Sequence, residues 1–176
     1  MTFMIEMGDP VLRQKAAPIS DVFSAETKAT IDTMIKVLID QKGIGIAAPQ
    51  VGVPKQIFIV APNQMIQLPY DNIDTGLVVI NPSISFNTKK ITYEWEGCLS
   101  VPGIRGYVPR QCDITINYTN YHGEIRSESY EGFTARIFLH EYDHLSGTLF
   151  LDQIENLQDH LITDAYYKQL LEEEEQ

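Results

Sequence analysis

The apolar positions change their period several times along the chain, and each change marks an element. Between Asp21 and Gln41, the residues Ile31, Met34, Ile35 and Leu38 recur at helical spacing, which predicts a first helix with Gly43 as its stop. Short apolar runs separated by turn residues follow. Q-I-F-I-V at 56–60, L-V-V-I at 77–80, D-I-T-I-N-Y at 113–118 and E-I-R-S-E-S-Y at 124–130 predict strands, with Tyr121, His122 and Gly123 as a hairpin tip. The helical period returns over Phe133 to Leu145, and Gly147 stands where a left-handed cap is expected. A last helix is predicted from about Ile154 to Leu171, burying a stripe of Ile154, Leu157, Leu161 and Leu170. The polar stretch from Ala61 to Gly76, with Pro62, Asn63, Pro69 and Asn72, reads as a long surface loop. Four glutamates at 172–175 crowd the negative end of a helix dipole and predict a frayed tail. The expected fold is α+β: short antiparallel strands packed around a central helix, with an N-terminal helix and a C-terminal helix.

Composition narrows this picture. A chain of 176 residues with 44% hydrophobic and 21% charged residues closes one core, so one domain over 1–176 is expected, with a C-terminal helix over 155–171 and an acidic tail over 172–176. A formal net charge of -11 without any run of Lys or Arg repels phosphates and argues against direct reading of nucleic acid. No apolar stretch approaches membrane-spanning length and the start carries no leader pattern, so the expectation is a cytoplasmic protein without a membrane partner. Two cysteines make no disulfide framework; their different surroundings suggest a chemical role for one and a packing role for the other.

The candidate chemistry begins with H-E-Y-D-H at 140–144. A four-residue separation puts His140 and His144 on one helix face, one turn apart, where two imidazoles can grip one metal ion. Glu141 follows the first ligand directly and can accept a proton from water bound there. Two of only four histidines at ligand spacing around a glutamate, on a predicted helix, weigh heavily against ordinary polar surface residues. A third ligand is required. Cys98, within E-G-C-L-S-V-P-G, lies where Gly97, Pro102 and Gly103 hold the chain in a tight turn; on this evidence alone a ligand and a structural thiol stand equal. Cys112 fits the structural reading better. G-I-G-I-A-A-P-Q-V-G at 43–52 lets a substrate backbone approach closely, and Gln50 brings an amide donor suited to an oxyanion. It lacks the Lys and Ser/Thr of a phosphate-binding loop, which excludes nucleotide.

Taken together, G-I-G-I-A-A-P-Q, E-G-C-L-S and H-E-Y-D-H resemble, in order, the three motifs of the peptide deformylase family. G-D-P-V-L-R near the start, V-P-R at 108–110 and G-T-L-F-L-D at 147–152 extend the likeness over about Gly8 to Ile154. The resemblance implies a metal-dependent hydrolase that removes the formyl group from N-formylmethionyl nascent peptides. It makes Cys98, His140 and His144 the metal ligands and Glu141 the general acid/base, with Gln50 and the Leu99 N–H as oxyanion donors. Ile44, Gly45 and Gly97 become the edges along which the peptide lies, with Ile44, Phe133, Ile137 and the His140 ring around the methionine side chain. One divalent ion is implied, Fe(2+) physiologically, with Zn(2+), Ni(2+) or Co(2+) also suited to the ligands. Proximity to the ribosome is conceivable without a basic docking helix, since Lys168 is the one cation of the terminal segment. Two departures stand out: Ile46 where leucine is usual, and Leu139 where many members have glutamine.

Two rivals differ in what they require. A zinc endopeptidase on the same H-E-x-x-H helix needs a downstream His or Glu ligand, and His160, expected on the surface of the terminal helix, is the one later histidine. A catalytically silent, metal-stabilised module binding nascent chains or the ribosome would close all four coordination positions with protein, whereas three candidates are found.

Overall fold

The structure, a computed structural model, describes residues 4–174. In chain order the regular elements are α1 (Ala25–Asp40), β1 (Gly45–Ala47), β2 (Ile57–Val60), β3 (Leu77–Phe86), β4 (Thr92–Cys98), β5 (Val101–Arg110), β6 (Asp113–Thr119), β7 (Ile125–Glu131), α2 (Gly132–Leu145), β8 (Leu161–Thr163) and α3 (Asp164–Glu174). Five strands form one sheet in the order β1-β2-β3-β6-β7 and three form another in the order β4-β5-β8. All pairings within them are antiparallel.

The uninterrupted apolar runs at 57–60 and 77–80 have a simple cause. Phe58, Val60, Leu77 and Val79 point to the face covered by α2, where Ala135 and Phe138 meet them. Ile57, Ile59, Val78 and Ile80 point to the opposite face, covered by Ile31, Met34, Val37 and Leu38 of α1. Strands buried on both faces lose the alternation that a half-exposed strand keeps. β6 keeps it: Ile114, Ile116 and Tyr118 are buried while Thr115 and Asn117 are not. α2 follows β7 without a loop, and its orientation is fixed by Phe138, which stacks on Tyr130 at 4.5 Å and meets Phe58 edge-on at 5.8 Å. Val101 and Val108 of the smaller sheet cluster with Leu149 and Phe150, and the sheet meets the other side of α2 where Arg136 Nη1 donates to the Val108 carbonyl at 2.9 Å and to Glu96 Oε1 at 2.8 Å. The helix bearing both candidate histidines therefore lies between the two sheets.

Several elements depart from the sequence expectation. α1 starts at Ala25, because Ser24 Oγ accepts the Thr27 N–H at 3.1 Å and so caps the helix. Its end is a two-bond reversal in which Lys42 (φ 51°), not Gly43, takes the left-handed conformation, and the Gly43 N–H returns to the Leu38 carbonyl. The β4–β5 hairpin was not expected, since Pro102, Gly103, Gly106 and Pro109 argue against a strand. No helix runs over 155–160. There Asn156 takes the Gln158 N–H on its side chain and the His160 N–H on its carbonyl, a turn that competes with helix. Leu161–Thr163 is instead a strand on β5, Leu157 is 61% exposed, and α3 starts at Asp164. The helix then continues through Glu174, so the frayed tail expected at 172–175 is helical over 172–174; residues 175 and 176 lie outside the described residues. Gly147 does take the left-handed cap (φ 73°).

Candidate metal centre

β4 ends in a bulge between Gly97 and Cys98, and a tight turn over Leu99 and Ser100 leads into β5. This delivers Cys98 to the face of α2 that carries His140 and His144. One donor atom from each of the three residues lies within 4.8 Å of the others. Cys98 Sγ is 3.4 Å from His144 Nε2, and the two imidazole centroids are 5.3 Å apart. Ordinary Zn–S and Zn–N bonds at a tetrahedral angle put sulfur and nitrogen about 3.6 Å apart. The donor set thus fits one divalent ion, which Cys98, His140 and His144 would hold.

The surroundings prepare these donors. His140 Nδ1 donates to Glu96 Oε2 at 2.9 Å, which leaves Nε2 free for a metal. Glu96 is buried and accepts from Arg110 Nε at 2.5 Å, Arg110 Nη2 at 2.9 Å and Arg136 Nη1 at 2.8 Å. Arg110 also reaches Asp143 at 2.9 Å, so the buried charges balance. Burial works against an ionised Glu96, but the hydrogen bonds from Arg110 and His140 hold its carboxyl well below the usual carboxylate range. Phe150 stacks beside the His140 ring at 6.1 Å. Burial also penalises charge on both histidines; the Cys98 and Glu96 hydrogen bonds nevertheless draw a proton to His140, while His144 is held neutral.

Glu141 is 4% exposed, and burial pushes its carboxyl up to about 7 although His140 pulls it down. Its Oε2 is buried with no hydrogen-bond partner among the described residues, as expected of a group whose partner is solvent or substrate at the site. Gly45 is required here, because a Cβ would collide with the Glu141 carboxylate. Gln50 is buried; its Oε1 accepts the Ala47 N–H at 2.8 Å, which turns Nε2 toward Ser100 Oγ (3.1 Å) and Cys98 Sγ (3.5 Å).

A cavity of about 510 Å³ opens on these groups. Ile44, Gly45, Gln50, Gly97, Leu99, Phe133, Ile137, His140 and Glu141 all line it, so every sequence-selected binding residue meets in one place. His160 does not join them. It packs against Tyr107 and Tyr93, half-buried beside β5 and not on a helix surface. Leu139 is buried and turns toward a separate groove with Tyr142 and Phe86, so the acceptor for His140 is Glu96. Cys112 packs against the main core as a free thiol, in keeping with a packing role. Sequence reading missed the Glu96–Arg110–Arg136 cluster, although Glu96 precedes Gly97–Cys98 and Arg110 closes the V-P-R stretch.

A glutamate-bearing H-E-x-x-H helix facing a cysteine at the wall of an open cavity is the arrangement of a metal-dependent hydrolase. Comparison with known proteins makes this specific. The sequence model of the family described as Polypeptide deformylase matches residues 1–160. "Peptide deformylase 2" of Nostoc sp. is 41% identical over 96% of this chain and 93% of its own. The peptide deformylase of Halothermothrix orenii is 41% identical, covering 89% and 96%. Among solved structures, the peptide deformylase of Thermotoga maritima superposes with a TM-score of 0.79 at 36% identity, covering 89% of this chain and 99% of that one. A Met-Ala-Ser-bound class I type b peptide deformylase from Acinetobacter baumannii matches with a TM-score of 0.76 at 34% identity over 88% and 100%. The chain belongs to the peptide deformylase family.

Proposed function

We propose that Cys98, His140 and His144 hold one divalent ion and that Glu141 moves the proton in the reaction of this family, removal of the N-terminal formyl group from newly synthesised polypeptides. The observation that carries the reading is the convergence of three donor atoms within 4.8 Å beside a buried, unpartnered carboxylate. Bound there, the ion supplies Lewis acidity and lowers the pKa of a water molecule it holds.

The chain's own groups do the rest. Glu141, ionised, accepts the proton of the attacking water and afterwards gives it to the departing amine, leaving formate and a free methionine amine. Gln50 Nε2, aimed by the Ala47 N–H bond, and the backbone N–H of Leu99 donate to the oxygen on which charge develops. Ile44, Gly45 and Gly97 offer the backbone edges for an extended peptide, and Ile137, Phe133 and Ile44 surround the methionine side chain. Formyl is the smallest acyl group, so steric exclusion at the same carbon rejects acetyl.

Fe(2+) is the proposed physiological ion, with Zn(2+), Ni(2+) and Co(2+) suited to the same Cys-His-His donors. One catalytic domain spans the chain, working in the cytoplasm; no helix of the described residues is long and apolar enough to cross a membrane. Ribosome docking through a basic C-terminal helix is not proposed, because α3 carries one lysine against four acidic residues. An endopeptidase with His160 as third ligand finds no support in that residue's surroundings. The test is formate release from a formyl-Met-Ala-Ser peptide by metal-loaded protein. Release by the wild type and its loss together with the metal in Cys98→Ser is expected; cleavage of internal peptide bonds instead would overturn the reading.

A further inference from the structure

In a chain of net charge -11, the cavity wall is balanced: Lys42, Arg105 and Arg136 line it together with Glu96, Glu141 and Asp164. Arg105 is fixed on three sides. Its Nε donates to Asp164 Oδ1 at 2.7 Å, its guanidinium carbon lies 5.1 Å from the Tyr167 ring centroid, and its fork lies so close over Gly97 that a Cβ there would come within 2.8 Å of that carbon. The two Nη groups have no acceptor among the described residues. A guanidinium stacked on an aromatic ring and tethered through Nε presents those groups with little entropy left to lose.

The fixing residues come from the C-terminal segment. β8 pairs with β5 from Ile104↔Thr163 to Gly106↔Leu161, which sets Asp164 and Tyr167, the first turn of α3, beside Arg105. This segment is where the sequence predicted a plain amphipathic helix.

We infer that Arg105, held by Asp164 and Tyr167 and assisted by Lys42, is a specificity-determining residue that favours a carboxylate in the peptide shortly after the methionine. The inference rests on the deformylase reading, because it places the downstream peptide at the cavity mouth. Arg105 touches no reacting atom, so its effect falls on KM. Asp164 shares the site and offsets part of the attraction, which keeps the preference modest and screened by salt.

The experiment measures deformylation of three C-terminally amidated peptides, formyl-Met-Ala-Glu, formyl-Met-Ala-Gln and formyl-Met-Ala-Lys, by the metal-loaded full chain at low and high salt. At low salt, kcat/KM is expected to fall from Glu to Gln to Lys, by roughly three- to tenfold overall for a partly exposed charge contact, through KM at constant kcat. High salt should compress the order. Arg105→Gln should abolish it, and Tyr167→Leu, which leaves every charge in place, should weaken it. Equal kcat/KM for the Glu and Lys peptides in the wild type, or an unchanged preference in Arg105→Gln, overturns the inference. Failure of the wild type on all three peptides would instead strike the deformylase reading itself, so the two failures are distinguishable.

Discussion

His140 Nδ1 and Glu96 Oε2 are joined by a 2.9 Å hydrogen bond in which a buried carboxylate, itself held by two arginines, sets the tautomer of a candidate metal ligand. Removing such an outer partner typically costs ten- to a hundredfold in metal affinity. Glu96→Gln keeps an acceptor oxygen and should weaken the metal by about tenfold; Glu96→Ala should do more and also unfold the protein more readily. Breaking a buried pair leaves Arg136 without its buried carboxylate and Arg110 with Asp143 alone, a loss of up to about 3–5 kcal/mol. Competition with a chelator and denaturant unfolding measure the two effects. Unchanged metal affinity in Glu96→Ala would contradict the tautomer argument.

Glu141→Ala should retain one metal ion per chain and lose about 10²–10⁴ in turnover, because the proton shuttle is removed while every candidate ligand stays. Metal content and kcat, measured on the same sample, decide it. A variant turning over near the wild-type rate would contradict the assignment.

The pH dependence follows from the same carboxylate. Burial raises Glu141 from 4.5 to about 7, and the group must be ionised to accept a proton, so kcat/KM should rise with pH along an acid limb. A bound cation pulls the midpoint back from about 7 toward 4.5. For folding of the metal-free protein the sign is opposite. A raised carboxyl binds its proton more tightly in the folded state, so its contribution is present below 4.5 and is lost as pH rises through about 7. The stability difference between wild type and Glu141→Gln, both metal-free, should therefore shift against the wild type over that window. A shift in the other direction would refute the burial argument.

His140, Glu141 and His144 were legible in sequence because the H-E-x-x-H spacing is itself the chemistry, whereas Cys98, evenly balanced between ligand and structural thiol on its own surroundings, and Gln50 were assigned their roles through the family resemblance. β2 and the start of β3 were legible as apolar runs. The β4–β5 hairpin was not: Gly97 and Gly106 are required there by the close passage of Arg105 and Phe150, a tertiary reason with no local signature. Glu96 was hidden for a similar reason. A single glutamate beside Gly97 reads as surface until Arg110 and Arg136, far along the chain, close around it. The turn at Asn156 misled by composition, since Ile154, Leu157 and Leu161 mimic a helical stripe that β8 interrupts.

Deleting Glu172 to Gln176 should leave turnover of formylated tripeptides within about twofold of wild type. Glu172 and Glu173 are exposed, and the contacts of α3 with the cavity mouth come from its first turn, at Asp164 and Tyr167. Surface changes away from such features have small effects. A large rise in KM on this deletion would show that the acidic tail reaches the site.

With Fe(2+) bound, the pairing of a thiolate with an oxidisable ion should make activity decay in air, through oxidation of the metal, the sulfur or both. Nickel or cobalt should preserve the geometry and the rate while lengthening the aerobic half-life. Equal half-lives for iron-loaded and nickel-loaded protein would contradict this account of the ion.

The central claim, that one ion held by Cys98, His140 and His144 drives deformylation, is tested most directly by adding a divalent metal back to chelated protein and counting formate released from formyl-Met-Ala-Ser. Activity should climb linearly and stop at one ion per chain, with one free methionine amine appearing for each formate, and Cys98→Ser should show no such titration. Full activity in the chelated protein, or a break at two ions, would contradict it.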